Sequence, residues 1–120
     1  MNNSLNSILP VQNISPERLL RMLGASGTLV GFRYAVYMIN RVLDDEDMLL
    51  LITKRLYPET AKQYGVKASS VERGLRTLIA MCWKRSNAPM FEIIAGRPVD
   101  FMPTNSEFLD MVSSYLRNLA

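Results

Sequence analysis

The sequence predicts an all-α fold, a compact bundle of about six helices. Three observations carry that expectation. Apolar residues recur at spacings of three and four around residues 28–43, 68–85 and 104–119, the pattern of one face of an amphipathic helix. No segment alternates apolar and polar residues for long enough to argue for a sheet. A chain of 120 residues, 48% hydrophobic and 21% charged, suits one domain with a single core.

Taken in order, residues 1–14 are rich in Asn and Ser and read as a flexible lead-in, with the folded domain over 15–120. Ser15-Pro16-Glu17 opens a first helix: serine can cap, proline suits the first helical position, and the acid favours the positive end of the dipole. Leu19, Leu20 and Leu23 supply its buried stripe, and Gly24 can end it. Gly24, Gly27 and Gly31 invite a phosphate-loop reading, but the lysine, its following hydroxyl residue and a preceding strand are missing. They are read instead as a helix end and an interhelix turn. From about Thr28, the residues Phe32, Ala35, Val36, Ile39, Val42 and Leu43 give a second helix, with Tyr34 and Tyr37 toward its flank. Asp44, Asp45, Glu46 and Asp47 lack the alternating oxygen ligands and the glycine of a calcium loop. A solvated turn is expected there, breaking the helix near Leu43 or restarting it into a core segment from Met48 to Ile52.

Pro58 is expected to push Tyr57 out of helical geometry and to start a helix over residues 58–64. Ala61 is small enough for a close helix crossing, Gly65 can take the positive φ of a sharp turn, and Val66 can pack under it. A longer helix follows from Ala68 or Ser69 to Arg85. Its inward face is Val71, Leu75, Leu78, Ile79 and Cys82; its outward face is Ser69, Ser70, Glu72, Arg73, Arg76 and Thr77. The spacing of Ala61, Gly65, Val66 and Val71 is that of a helix-turn-helix. A structural hairpin shares this spacing, but Arg73 and Arg76 fall in the first turns of the second helix, the end that reaches base edges in the major groove. Charge points the same way. Residues 54–85 hold eight Lys or Arg against two Glu, a net +6, and leave the rest of the chain at −3. Such a basic segment is what phosphate-backbone binding requires.

Beyond this hairpin, Trp83 is expected to anchor the core rather than to stack on a base. Pro89 to Ala95 can form a short helix ended by Gly96. Thr104 to Glu107 is a capping box that opens a last helix, where Phe108, Leu109, Val112, Tyr115, Leu116 and Leu119 form a stripe facing core or partner.

Composition narrows function. There is no histidine and one cysteine, so internal disulfides, zinc sites and histidine-dependent nucleophilic triads are excluded. No enzymatic activity, cofactor or metal is expected. No apolar run approaches the roughly 20 residues of a membrane span, and the opening lacks a secretory signal, which places the expected location in the cytoplasm.

The runs ITKRLYPETAKQYGVKASSVERGLR and PTNSEFLDMV, with Trp83 between them, resemble the C-terminal effector domain of the sporulation master response regulators, the stage zero sporulation protein A family of endospore-forming bacteria. The likeness extends from about Glu17 to Leu119. It implies a six-helix bundle that binds short boxes of double-stranded DNA, regulates promoters, contacts a sigma factor of RNA polymerase, and pairs tail-to-head as a homodimer through the helix over Thr104 to Ala120. By position it implies that Glu72 and Arg73 read bases and that Arg76 makes a phosphate or nearby contact. The DNA-binding set expected here is Lys67, Ser69, Ser70, Glu72, Arg73 and Arg76.

Three departures qualify the likeness. Ser70 stands where the family usually has arginine. Gly74 replaces the usual alanine, which costs about 1 kcal/mol of helix stability unless a close packing contact needs it. The segment from Trp83 to Pro103 is shorter and lacks the lysines that precede PTNSEF. The family also carries an N-terminal receiver domain, whereas a short tail precedes the first helix here; if the chain is complete, phosphorylation cannot switch it in the usual way. The alternative expectation is a protein-interaction module that keeps the fold but binds sigma factor or a partner regulator instead of DNA.

Overall fold

A computed structural model describes residues 14–85 and 88–119. The lead-in, apart from Ile14, and Ala120 lie outside the described residues. Among the described residues six α-helices follow in order: α1 Pro16–Met22, α2 Val30–Asp44, α3 Tyr57–Tyr64, α4 Ala68–Arg85, α5 Ala88–Ala95 and α6 Asn105–Leu119. A 3-10 turn over Glu46–Leu50 and a π turn over Ile52–Leu56 join α2 to α3. No strand occurs among the described residues, so the all-α expectation holds.

The long helix α2 is central and packs against both α4 and α6. Its residues Met38, Ile39 and Val42 join Leu75, Leu78 and Ile79 of α4 and Phe108, Leu109 and Val112 of α6 in one core, all fully buried. Burying each such apolar side chain stabilises the fold by roughly 2 kcal/mol before chain entropy is counted. The helix ends follow the sequence. Ser15 Oγ accepts from the Arg18 amide at 3.1 Å, and Gly24 closes α1 at φ 103°. At α6 the capping box is reciprocal: the Glu107 amide donates to Thr104 Oγ1 at 3.1 Å and the Thr104 amide to Glu107 Oε1 at 2.9 Å.

Several expectations are corrected. The second helix begins at Val30 rather than Thr28, because Leu29 stays extended at φ −72° and ψ 134° and Ser26 Oγ accepts from the Thr28 amide at 3.2 Å in a local turn. Gly31 is therefore helical and not part of the interhelix turn. It is glycine because α2 and α4 touch backbone to backbone: a Cβ on Gly31 would stand 2.0 Å from the Gly74 carbonyl oxygen. Tyr34 is buried rather than on the flank, since its ring lies over Gly74 and tilts against Tyr64 at a centroid separation of 5.4 Å.

Gly74 thus has the packing contact that offsets its poor helix propensity. A Cβ there would meet Tyr34 Cδ2 at 3.0 Å and the Gly31 Cα at 3.3 Å. Alanine would recover about 1 kcal/mol of propensity but overpack a site costing about 2 kcal/mol to relieve, and Tyr34 is hemmed in by Tyr64. We expect Gly74→Ala to lower stability by about 1 kcal/mol net, measured by urea unfolding.

The acidic turn forms as expected, α2 ending at Asp44 with Asp45 Oδ1 accepting from the Asp47 amide at 3.0 Å. Arg117 Nη2 of α6 donates to the Val42 carbonyl at 3.0 Å, covering the negative end of α2. The segment from Met48 to Ile52 is only partly core: Met48 and Ile52 are buried, but Leu50 is 81% exposed. A tight turn with three residues per repeat cannot aim consecutive side chains the same way.

Pro58 does not eject Tyr57 from helical geometry. Tyr57 is helical at φ −62° and ψ −48°, and its amide bonds to the Ile52 carbonyl, five residues back. The Leu56 amide likewise reaches Leu51 O at 3.0 Å. This wider π register just before the proline accommodates a ring that would crowd an uninterrupted α-helix.

Glu59 of α3 holds α2. Its carboxylate accepts from Tyr37 Oη at 3.0 Å and from both Nε and Nη2 of Arg41. The Arg41 bond, followed by that of Tyr37, holds the Glu59 carboxyl below its ordinary value of 4.5 despite partial burial. A folded-state pKa below the unfolded one means that the clamp contributes fully above the ordinary value and is lost as pH falls through the depressed one. Stability is therefore expected to decline in acid below about pH 4, and Glu59→Gln to flatten that decline while lowering stability at pH 7, both read from urea midpoints across pH.

Candidate nucleic-acid interface

The hairpin formed by α3 and α4 owes its shape to one residue. Gly65 adopts φ 64° and ψ 39°. The Val66 amide bonds back to Ala61 O at 3.0 Å and the Gly65 amide to Lys62 O at 3.4 Å, closing α3 with a left-handed cap. Ala61 is buried at the crossing, as expected, but Val66 is 36% exposed and does not pack under the turn.

The long helix α4 divides cleanly. Val71, Leu75, Leu78, Ile79 and Cys82 are fully buried. Burial pushes the Cys82 thiol up to about 12, so it behaves as a small apolar core residue. On the opposite side Ser69, Glu72, Arg73 and Arg76 are exposed, and their spacing of three, one and three puts them on one face. Lys67 is exposed just before the helix, whereas Ser70 is half-buried. Four of the six residues singled out from the sequence thus share one exposed face of α4, Lys67 is exposed ahead of it, and Ser70 turns partly away. Arg76 Nη2 pairs with Glu72 Oε2 at 3.3 Å. Both side chains are about half exposed, so in water the pair is worth little and either partner can exchange it for a ligand.

The remaining basic residues of this segment, Lys54, Arg55, Lys62, Lys84 and Arg85, are also exposed. Trp83 meets Phe91 edge-on at 5.3 Å and Phe91 meets Phe108 at 6.4 Å. The tryptophan therefore joins α4 to the core, as expected.

Beside the exposed face, a groove of about 420 Å³ is lined by Tyr57, Glu72, Arg76, Met102, Thr104 and Asn105, among others. Asn105, on the wall of this groove, is a residue beside the candidate interface that sequence reasoning missed. The capping-box pattern accounts for Thr104 and Glu107 and leaves the two residues between them unassigned, while the bonds of Asn105 run to residues far away in the chain.

Phe91 and Ile94 are buried, while Ile93 is 61% exposed. On α6, Phe108, Leu109, Met111, Val112, Ser113 and Leu116 are buried, so most of its apolar stripe belongs to the core. No helix among the described residues is long and apolar enough to cross a membrane. A family model described as the C terminal of the sporulation initiation factor Spo0A matches residues 17–116.

Proposed function

Because the chain belongs to the Spo0A C-terminal family of DNA-binding regulatory domains, we propose that it is a sequence-specific transcriptional regulator without enzymatic activity, with α4 as its recognition helix in the major groove. The observation that carries this is the division of α4. One face is fixed by complete burial, and the other offers Ser69, Glu72, Arg73 and Arg76 within a segment of net charge +6. A planar guanidinium reads guanine in two bonds, and an arginine so placed reaches base edges when a helix lies along the groove. Arg73 is assigned to base reading with Glu72. Arg76, released from Glu72, is assigned to a phosphate, with Lys67 and Ser69 beside the backbone. Ser70, half-buried and without arginine's reach, contributes at most a short contact.

The test is affinity for duplex DNA across salt concentrations. Neutralising three or four phosphates gives a slope of roughly −3 in log affinity against log salt. A protein that binds duplex DNA without salt dependence, or not at all, contradicts the proposal.

A second reading is favoured by the exposed apolar residues Ile93, at 61%, and Phe101, at 83%. These fit contact with a protein, and the family likeness makes sigma factor the first candidate. Tail-to-head pairing of copies on adjacent boxes would use the outward, mostly polar side of α6, including Glu107 and Asp110. Salt-insensitive binding to a protein partner in the absence of any DNA affinity would make this the main function.

A further inference from the structure

Asn105 is the first residue of α6, fixed there by the capping box of Thr104 and Glu107. Its amide nitrogen makes two bonds outside its own helix. One goes to Tyr57 Oη at 3.0 Å, at the start of α3, and the other to the backbone carbonyl of Glu72 at 3.1 Å, on α4. A primary amide has two N–H bonds, and both are used here. Tyr57 is itself buried, so the hydroxyl that Asn105 grips is a fixed point of the fold.

The place of these bonds is informative. The carbonyl belongs to Glu72, whose carboxylate pairs with Arg76 on the exposed face, and the next residue is Arg73. Directly after Arg73, Gly74 rests against Gly31 and Tyr34 of α2. The front of α4 is therefore pinned from two sides, by backbone contact at Gly74 and by a hydrogen-bonded side chain at Glu72. Apolar packing fixes how far apart two helices lie, but tolerates small rotations and slides. Directional hydrogen bonds do not, because they weaken steeply with angle.

We propose that Asn105 is the positioning residue of the reading helix. By joining α3, α4 and α6 at one point, it sets the angle and depth at which Glu72 and Arg73 are presented, and so governs sequence preference without touching DNA. The inference rests on the reading of α4 as the recognition helix.

The test uses the full chain and two variants, Asn105→Ala and Asn105→Asp, with a duplex enriched from a random pool by the parent and a scrambled duplex of equal length. Circular dichroism and thermal unfolding follow the fold. For N105A the matched-to-scrambled ratio is expected to fall about tenfold, the usual effect of one lost base-pair contact, with scrambled affinity and salt slope unchanged. N105D keeps the size of the side chain, suits the positive end of α6 and can accept from Tyr57. It cannot donate to the Glu72 carbonyl and places an acceptor against an acceptor, so it is expected to remain folded at a lower thermal midpoint and still lose the ratio. A merely structural role predicts that N105D, while folded, keeps the parent's ratio; that result overturns the proposal. If N105A does not fold, N105D decides alone. A parent that binds both duplexes equally overturns the proposal together with the reading beneath it, an outcome distinct from failure of the variants alone.

Discussion

Gly31→Ala is expected to destabilise the domain by about 3 kcal/mol or more, a large share of the 5–15 kcal/mol that holds a domain of this kind folded. The new methyl carbon would lie 2.0 Å from the Gly74 carbonyl oxygen and 2.5 Å from its carbon. Those atoms are helix backbone, bonded into α4, and cannot rotate aside as a side chain can. Relief requires α2 and α4 to separate along the central contact of the fold, loosening Met38, Ile39, Leu75 and Leu78 with them. The gain of about 1 kcal/mol in helix propensity does not offset this. Urea unfolding checks it: the midpoint should drop well below that of Gly74→Ala, whose clash is with a ring and a Cα at 3.0 Å and beyond. Equal midpoints would mean that the helices do not meet at Gly31.

Arg73→Ala is expected to remove sequence preference while leaving the fold intact. The side chain is exposed, and it is the central arginine of the proposed reading face. A lost bidentate contact to guanine costs roughly 1–3 kcal/mol of discrimination, or about tenfold to a hundredfold in the matched-to-scrambled ratio. The salt slope should change by no more than about 1, because the phosphate contacts remain. Arg73→Lys should restore the charge but not the ratio, since an ammonium cannot present the paired donors of a guanidinium. Titration of matched and scrambled duplexes at one salt concentration checks both, and a parental ratio in Arg73→Ala would remove the residue from base reading.

What could be read in advance divides along a physical line. Local rules gave the Ser15 and Thr104 caps, the Gly65 turn and the inward face of α4, since each is settled by residues within one or two turns. The errors arose where distant chain decides. Gly31 looks like a turn residue until α4 is seen against it, and Tyr34 looks like a flank residue until Gly74 provides its seat. Pro58 obeys the local rule for proline only in an α-helix, and the π turn before it relaxes that rule. The candidate site was legible because its face follows from helical spacing and charge. Asn105 was not, because nothing near it in sequence tells that its amide spans to residue 57 and to residue 72.

On the assignment proposed above, α4 reads DNA sequence through Glu72 and Arg73. Selection of bound duplexes from a random pool by the full chain tests it most directly. Successive rounds are expected to converge on a short box containing a fixed guanine, and Arg73→Ala carried through the same rounds is expected to lose that guanine. A pool that stays random after selection by the folded parent chain would contradict it.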